Sequence, residues 1–170
     1  MIQTRLLLSI MLLQSKPQDL AYSVYVLKVI LGLYVASGVF VLSRTTETNI
    51  ALYSMALDVA VLSAFTMGCL AVLRLQARLV QTFLALFGTG AIYHMLAWPI
   101  IEQLNKTDLS DSTKASLSFA FLMLLSWQIL VNAHIYRHAL SVDLMKAVVL
   151  SIAYWLMSTT LSQILIPVSS

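Results

Sequence analysis

Residues Leu79–Ile101 read LVQTFLALFGTGAIYHMLAWPII, a run without a single Asp, Glu, Lys or Arg. An α-helix of about 23 residues rises ~35 Å, enough to cross the ~30 Å hydrocarbon core of a bilayer. Arg74 and Arg78 precede the run and Glu102 follows it, so charge stands only at its ends. Its middle carries the small residues Ala85, Gly88, Gly90 and Ala91, together with one imidazole, His94. Small side chains let helices approach closely in lipid. Such a segment reads as a transmembrane helix, and the flanking sequence repeats the pattern.

Working outward gives an all-α fold, a polytopic membrane helix bundle forming a single membrane domain over residues 1–170. Spans are expected at about 22–42, 50–73, 79–101, 115–135 and 147–166. The short link Arg74–Arg78 predicts that the second and third spans are neighbours in an antiparallel hairpin. Ser23 or Asp19 is suited to cap the first span, and the Ser110-Asp111-Ser112 group the fourth. Pro99 is expected to kink the end of the third span, and Pro167 to stop the fifth. Residues 4–16 are too short to span and lack a small-x-small cleavage pattern. They predict a helix lying flat at the membrane interface, with Arg5, Ser9 and Lys16 on one face.

Composition agrees with this solvent. The chain of 170 residues is 60% hydrophobic and 10% charged, against roughly 25% charged for soluble domains. The net charge of +3 is spread over small groups, Arg74/Arg78, Arg137/His138 and Lys16/Lys28, each flanking an apolar run. That pattern points to membrane orientation and anionic-lipid contact, and it excludes a nucleic-acid partner. Placing the N-terminus in the cytoplasm leaves Arg5, Lys16, Arg74, Arg78, Arg137 and Lys146 inside. Arg44, Lys106 and Lys114 then lie outside, and the C-terminus is exterior. The single cysteine, Cys69, has no partner for an internal disulfide and reads as a packing residue.

Ionisable groups at membrane depth are costly and need a partner, a cavity or a function. Asp58 and His94 fall at similar depth in adjacent spans, which predicts a hydrogen-bonded pair between them. A second polar group, Lys28, Gln81, Gln128, Asn132 and His134, is expected near the inner surface, with Gln128 and Asn132 sharing a face. Lys28, Gly32 and Ala36 share a face of the first span that is expected to look at protein. His134 and His138 have the i, i+4 spacing of two metal ligands, but no third ligand stands at a fixed spacing, so no metal site is assigned. Gly88-Thr89-Gly90 lies inside a span and reads as packing. No nucleophile elbow, HExxH, phosphate loop or paired intramembrane aspartates occurs, and neither a catalytic centre nor a cofactor is expected.

A short N-terminus followed by five closely spaced spans resembles the Yip1 superfamily of small multi-spanning membrane proteins. The Gln81-Thr82-Phe83 and Gly88-Thr89-Gly90 stretch is similar to the third-span region of its bacterial members. The Asp-Leu-Tyr-Gly-Pro motif of eukaryotic members has only Gln18-Asp19-Leu20-Ala21-Tyr22 as its counterpart here. The resemblance implies a bacterial inner-membrane protein that is not an enzyme and binds other membrane proteins. The leading expectation is therefore an accessory or membrane-organising subunit, or an oligomer, acting through helix faces. The alternative is a small transporter or proton-linked permease using Asp58 and His94.

Overall fold

A computed structural model describes residues 2–166 of the chain. Helix α1 spans Ile2–Met11 and is followed by a 3-10 turn at Pro17–Asp19. The long helices are α2 (Val24–Leu42), α3 (Thr48–Val72), α4 (Leu79–Leu104), α5 (Asp111–Leu140) and α6 (Leu144–Leu165). All five are long and apolar enough to cross a membrane. Their outward faces carry Leu52, Leu122, Met123, Val149 and Ile152, all exposed. Large apolar side chains on the outside of the bundle are what a lipid solvent accommodates. Pro167 and the residues after it, where the last span and the exterior C-terminus are expected to end, lie outside the described residues.

Local sequence explains the helix ends. Ser23 starts α2 by accepting from the Val26 N–H (3.3 Å), and Ser110 starts α5 by accepting from the Thr113 N–H (3.3 Å). Asp19 serves its own 3-10 turn instead, accepting from the Lys16 N–H at 2.8 Å. Asp143 caps α6, and hydrogen bonding from the Lys146 backbone and side chain holds its carboxyl below the ordinary value. Three helices end in left-handed residues that are not glycine, Leu13, Arg74 and Ser141. Around Leu13 the Gln14 N–H reaches Ser9 O at 2.8 Å, and beside Arg74 the Leu75 N–H reaches Leu70 O at 2.8 Å. These bonds satisfy carbonyls that a helix end leaves free. Helix α4 runs past Pro99 to Leu104, three residues beyond the expected end.

The five long helices close into a ring in the order α4, α2, α3, α6, α5 and back to α4. Helix α3 makes little contact with α4, so the hairpin expected from their short link holds at the turn only. Glycines decide the outcome by letting α2 close on α4 instead. A Cβ at Gly90 would meet the Tyr34 ring, and one at Gly38 would lie 2.9 Å from His94 Cε1. Gly32, on the face expected to meet protein, has nothing within 4 Å, and Lys28 and Ala36 beside it are exposed. That face is turned away from the bundle, because Tyr34, Gly38 and Val41 form the buried side of α2.

Helix α1 forms, but it does not lie flat at the helix ends. Leu7 packs over Gly88, where an added Cβ would stand 2.7 Å from Leu7 Cδ2. Gly88 lies about nine residues into α4, or ~14 Å of helical rise. Ile10 and Met11 are buried, whereas Leu8 and Leu12 on the other face are exposed. Leu7, Ile10 and Met11 form its buried face, and through them α1 packs against α4 and α5. The descending segment is stitched down by side chains. Trp127 Nε1 donates to Met11 O (3.0 Å), and His134 Nε2 lies 2.9 Å from Ser15 O. Gln81 Nε2 donates to Gln18 O (2.9 Å) and Leu20 O (2.8 Å).

Gly90→Ala is expected to lower the detergent-solubilised melting midpoint, at a cost of about 1–3 kcal/mol from overpacking the Tyr34 ring. Gly32→Ala, in open space, is expected to leave the midpoint unchanged or slightly higher. Equal destabilisation by the two would refute the assignment of the closing face.

Candidate functional site

Every helix of the ring sends a polar side chain to its centre. Tyr34, Asp58 and Tyr154 each lie about ten residues, or ~15 Å, from the start of their helices. Asp58 of α3 accepts hydrogen bonds from the Tyr34 hydroxyl, the Tyr154 hydroxyl (2.8 Å) and Ser158 Oγ (2.9 Å). Tyr154 and Ser158 are one turn apart on α6, so a single helix face delivers two donors. Among the described residues no Lys or Arg pairs with Asp58. Its oxygens are held by neutral hydroxyl donors.

His94 and Asp58 share this site without the direct hydrogen bond that their depth suggests. Tyr34 stands between them because α2, rather than α3, lies against α4. Its ring packs on the His94 imidazole at a centroid distance of 4.9 Å, while its hydroxyl reaches Asp58. His94 Nδ1 is 3.0 Å from Ser37 Oγ, and Ser37 donates to Tyr34 O at 3.0 Å. The tautomer that satisfies both contacts carries its proton on Nδ1, leaving Nε2 as the acceptor of the ring.

These residues line a cavity of about 290 Å³, with Ser54, Gln128, Asn132 and Thr159 on its walls. A second cavity of about 200 Å³ extends toward Ile101 and Phe121, near the end of the bundle that bears Glu102 and Asp111. Leu42, His94 and Gln128 belong to the walls of both. In the opposite direction the core is packed. Thr66 and Tyr136 are hydrogen bonded at 3.1 Å, and Phe65 meets the rings of Tyr136 and Tyr154 at 5.9 and 6.0 Å. Leu62, Leu70, Leu84 and Ile135 fill the space around them. The site is therefore asymmetric, roomy toward one end and dry toward the other.

The second polar group disperses to three places. Gln128 and Asn132 face the central cavity. Gln81 and His134 hold the N-terminal segment, and the His134 ring meets the His138 ring edge to face at 4.6 Å. Lys28 lies on the outer face of α2. Sequence reasoning missed Tyr34, Ser37, Tyr154 and Ser158. A usable signal existed, because tyrosines in spanning helices favour the interfaces, yet Tyr34 and Tyr154 fall near mid-span.

A double-mutant cycle of Asp58→Asn with Tyr154→Phe is expected to show coupling of about 1–2 kcal/mol in detergent melting. The cycle of Asp58→Asn with His94→Gln is expected to stay under ~0.5 kcal/mol, since no hydrogen bond joins that pair. The reverse ranking would show that the Tyr34 bridge is misplaced. Comparison of the chain with protein-family models, curated proteins and solved structures gives no match.

Proposed function

We propose that this membrane protein is a small permease that takes up a proton or a small organic cation at Asp58. One observation carries the reading: a carboxylate at mid-span, facing a polar cavity, with three hydroxyl donors and no cationic side chain beside it. An uncompensated charge there is costly. Hydroxyls satisfy its lone pairs but leave its charge, so the favourable partner is a proton or a bound cation. The aromatic rings of Tyr34, Tyr154 and Trp155 on the wall suit a protonated amine through cation–π attraction. Gln128 and Asn132 supply amide donors and acceptors for the polar remainder of a solute. The volume is at the small end of ligand sites, which favours compact solutes. His94 Nε2 offers a second proton acceptor on the route. No bond-breaking step is assigned to the site.

The positive-charge count supports placing the N-terminus in the cytoplasm. On that reading the two cavities open toward the exterior and the packed layer faces the cytoplasm, as in a bacterial inner membrane. A second reading, an accessory or oligomeric role, draws on the exposed face of α2. There Lys28, Gly32 and Ala36 line a shallow groove with Leu31, Val35 and Val39. The Yip1 resemblance belongs with this reading.

Proteoliposomes with a trapped pH dye provide the test. Wild type is expected to dissipate an imposed proton gradient, alone or on addition of a small amine. Asp58→Asn is expected to abolish the flux, and His94→Gln to reduce it roughly tenfold or more, the scale for a lost proton-transfer group. Flux unaffected by Asp58→Asn in folded protein would sink the permease reading. Gly32→Cys disulfide dimers in native membranes, with no flux at all, would favour the second.

A further inference from the structure

The end of the bundle that bears the Arg74–Arg78 link holds a second polar pocket, of about 480 Å³. Lys16, Arg78, Arg137 and His138 surround it, with Gln18 and Ser141. We propose that this pocket binds a phosphate-bearing anion, in the position that a phospholipid headgroup occupies.

Three observations carry the proposal. First, the cations are not neutralised. Among the described residues, Lys16, Arg78 and Arg137 form no salt bridge. Asp143 is occupied by Lys146 at 2.9 Å, and the carboxylate that remains nearby, Asp19, is hydrogen bonded to the Lys16 backbone. Three permanent positive charges therefore face one carboxylate.

Second, one of them is held in place. Arg78 Nη1 donates to His138 O (3.2 Å), Ala139 O (3.0 Å) and Ser141 Oγ (2.7 Å). The C-terminal carbonyls of α5 thus fix the guanidinium, and its remaining N–H groups stay available in a planar fork suited to phosphate oxygens. Gln18 Oε1 is buried there without a hydrogen-bond partner, while its Nε2 donates to His138 O at 2.7 Å. A ligand hydroxyl would satisfy that oxygen, as the glycerol headgroup of phosphatidylglycerol can.

Third, the depth is right. Arg78 immediately precedes α4, and Arg137, His138 and Ser141 lie at the end of α5. The pocket stands where apolar helices leave the hydrocarbon, which is the headgroup layer whichever leaflet that end faces. Lys16 belongs to the segment that returns from α1, so a bound anion would tie the inserted N-terminal element to the α4–α5 end.

The test reconstitutes the full chain in nanodiscs and measures melting and lipid retention by native mass spectrometry. Phosphatidylglycerol discs are expected to raise the melting midpoint over phosphatidylcholine discs and to leave lipid bound after mild delipidation. Each juxtamembrane cation is worth about fivefold in anionic-lipid affinity, so Lys16→Gln with Arg137→Gln is expected to lower retention roughly 25-fold. Both residues are exposed, so the phosphatidylcholine midpoint should not move. Arg44→Gln, at the opposite end, is the charge control and should retain lipid. Inorganic phosphate added to phosphatidylcholine discs separates the sources. Protection by phosphate alone would show that the pocket takes the free anion, and protection by phosphatidylglycerol alone would assign the lipid. No protection by either, or equal loss in Arg44→Gln, would overturn the site. None of these readouts depends on Asp58, so failure here and failure of the permease reading are separable.

Discussion

The structure is organised around one acidic side chain, Asp58, which accepts hydrogen bonds from hydroxyls of two other helices in the middle of the ring. In lipid, apolar side chains gain little by leaving the solvent, so helix association rests on close packing and interhelical hydrogen bonds. Hydrogen bonds to a charged group are the strongest of these, at about 1.5–3 kcal/mol each. Asp58 joins α3 to α2 through Tyr34 and to α6 through Tyr154 and Ser158, the two contacts that close the ring on the α3 side. Removing the carboxylate leaves hydroxyls without an acceptor, whereas removing one hydroxyl leaves two donors still in place. The site is thus the point at which three helices of the ring are joined.

Glycine placement makes that geometry possible. The Tyr34 ring occupies the hole over Gly90, and His94 sits against Gly38. Gly38 also receives the Met55 side chain of α3, so the same glycine lets α2 approach both neighbours. The α2–α4 contact places Tyr34 between His94 and Asp58 and relays their proximity through a phenol. Phe40 and Trp98 continue the same interface toward the far end at 5.3 Å, where Asn105 Nδ2 donates to Arg44 O at 3.0 Å.

The spans were legible because hydropathy is a local property: twenty apolar residues cannot be stable in water wherever their neighbours lie. Helix pairing was not, because it depends on which small residue meets which large one across two separate segments. Gly32 and Gly38 look equivalent in sequence, and only the second faces a ring. A short link fixes the distance between two helix ends and says nothing of their flanks, so α3 and α4 diverge after Arg74. Asp58 and His94 stood out by the cost of charge in lipid. Tyrosine and serine carry no such cost, so the hydroxyls that hold Asp58 passed as ordinary span residues. The flat placement of α1 came from reading Arg5, Ser9 and Lys16 as a polar face. Leu7, Ile10 and Met11 on the other side outweigh them, because Gly88 offers them a groove.

The core is packed asymmetrically about Asp58. Toward the far end the site adjoins a second cavity, and toward the end bearing Arg78 it meets the Thr66–Tyr136 bond and packed aromatic rings. Any rearrangement that opened that layer would have to part Tyr136 from Thr66. Helix α5 is not free to do so alone. Trp127 binds it to the end of α1 and His134 to the segment after it, and Arg78 grips its C-terminal carbonyls. Each of these polar bonds contributes about 0.5–1.5 kcal/mol net. The N-terminal element is therefore positioned to resist opening at that end.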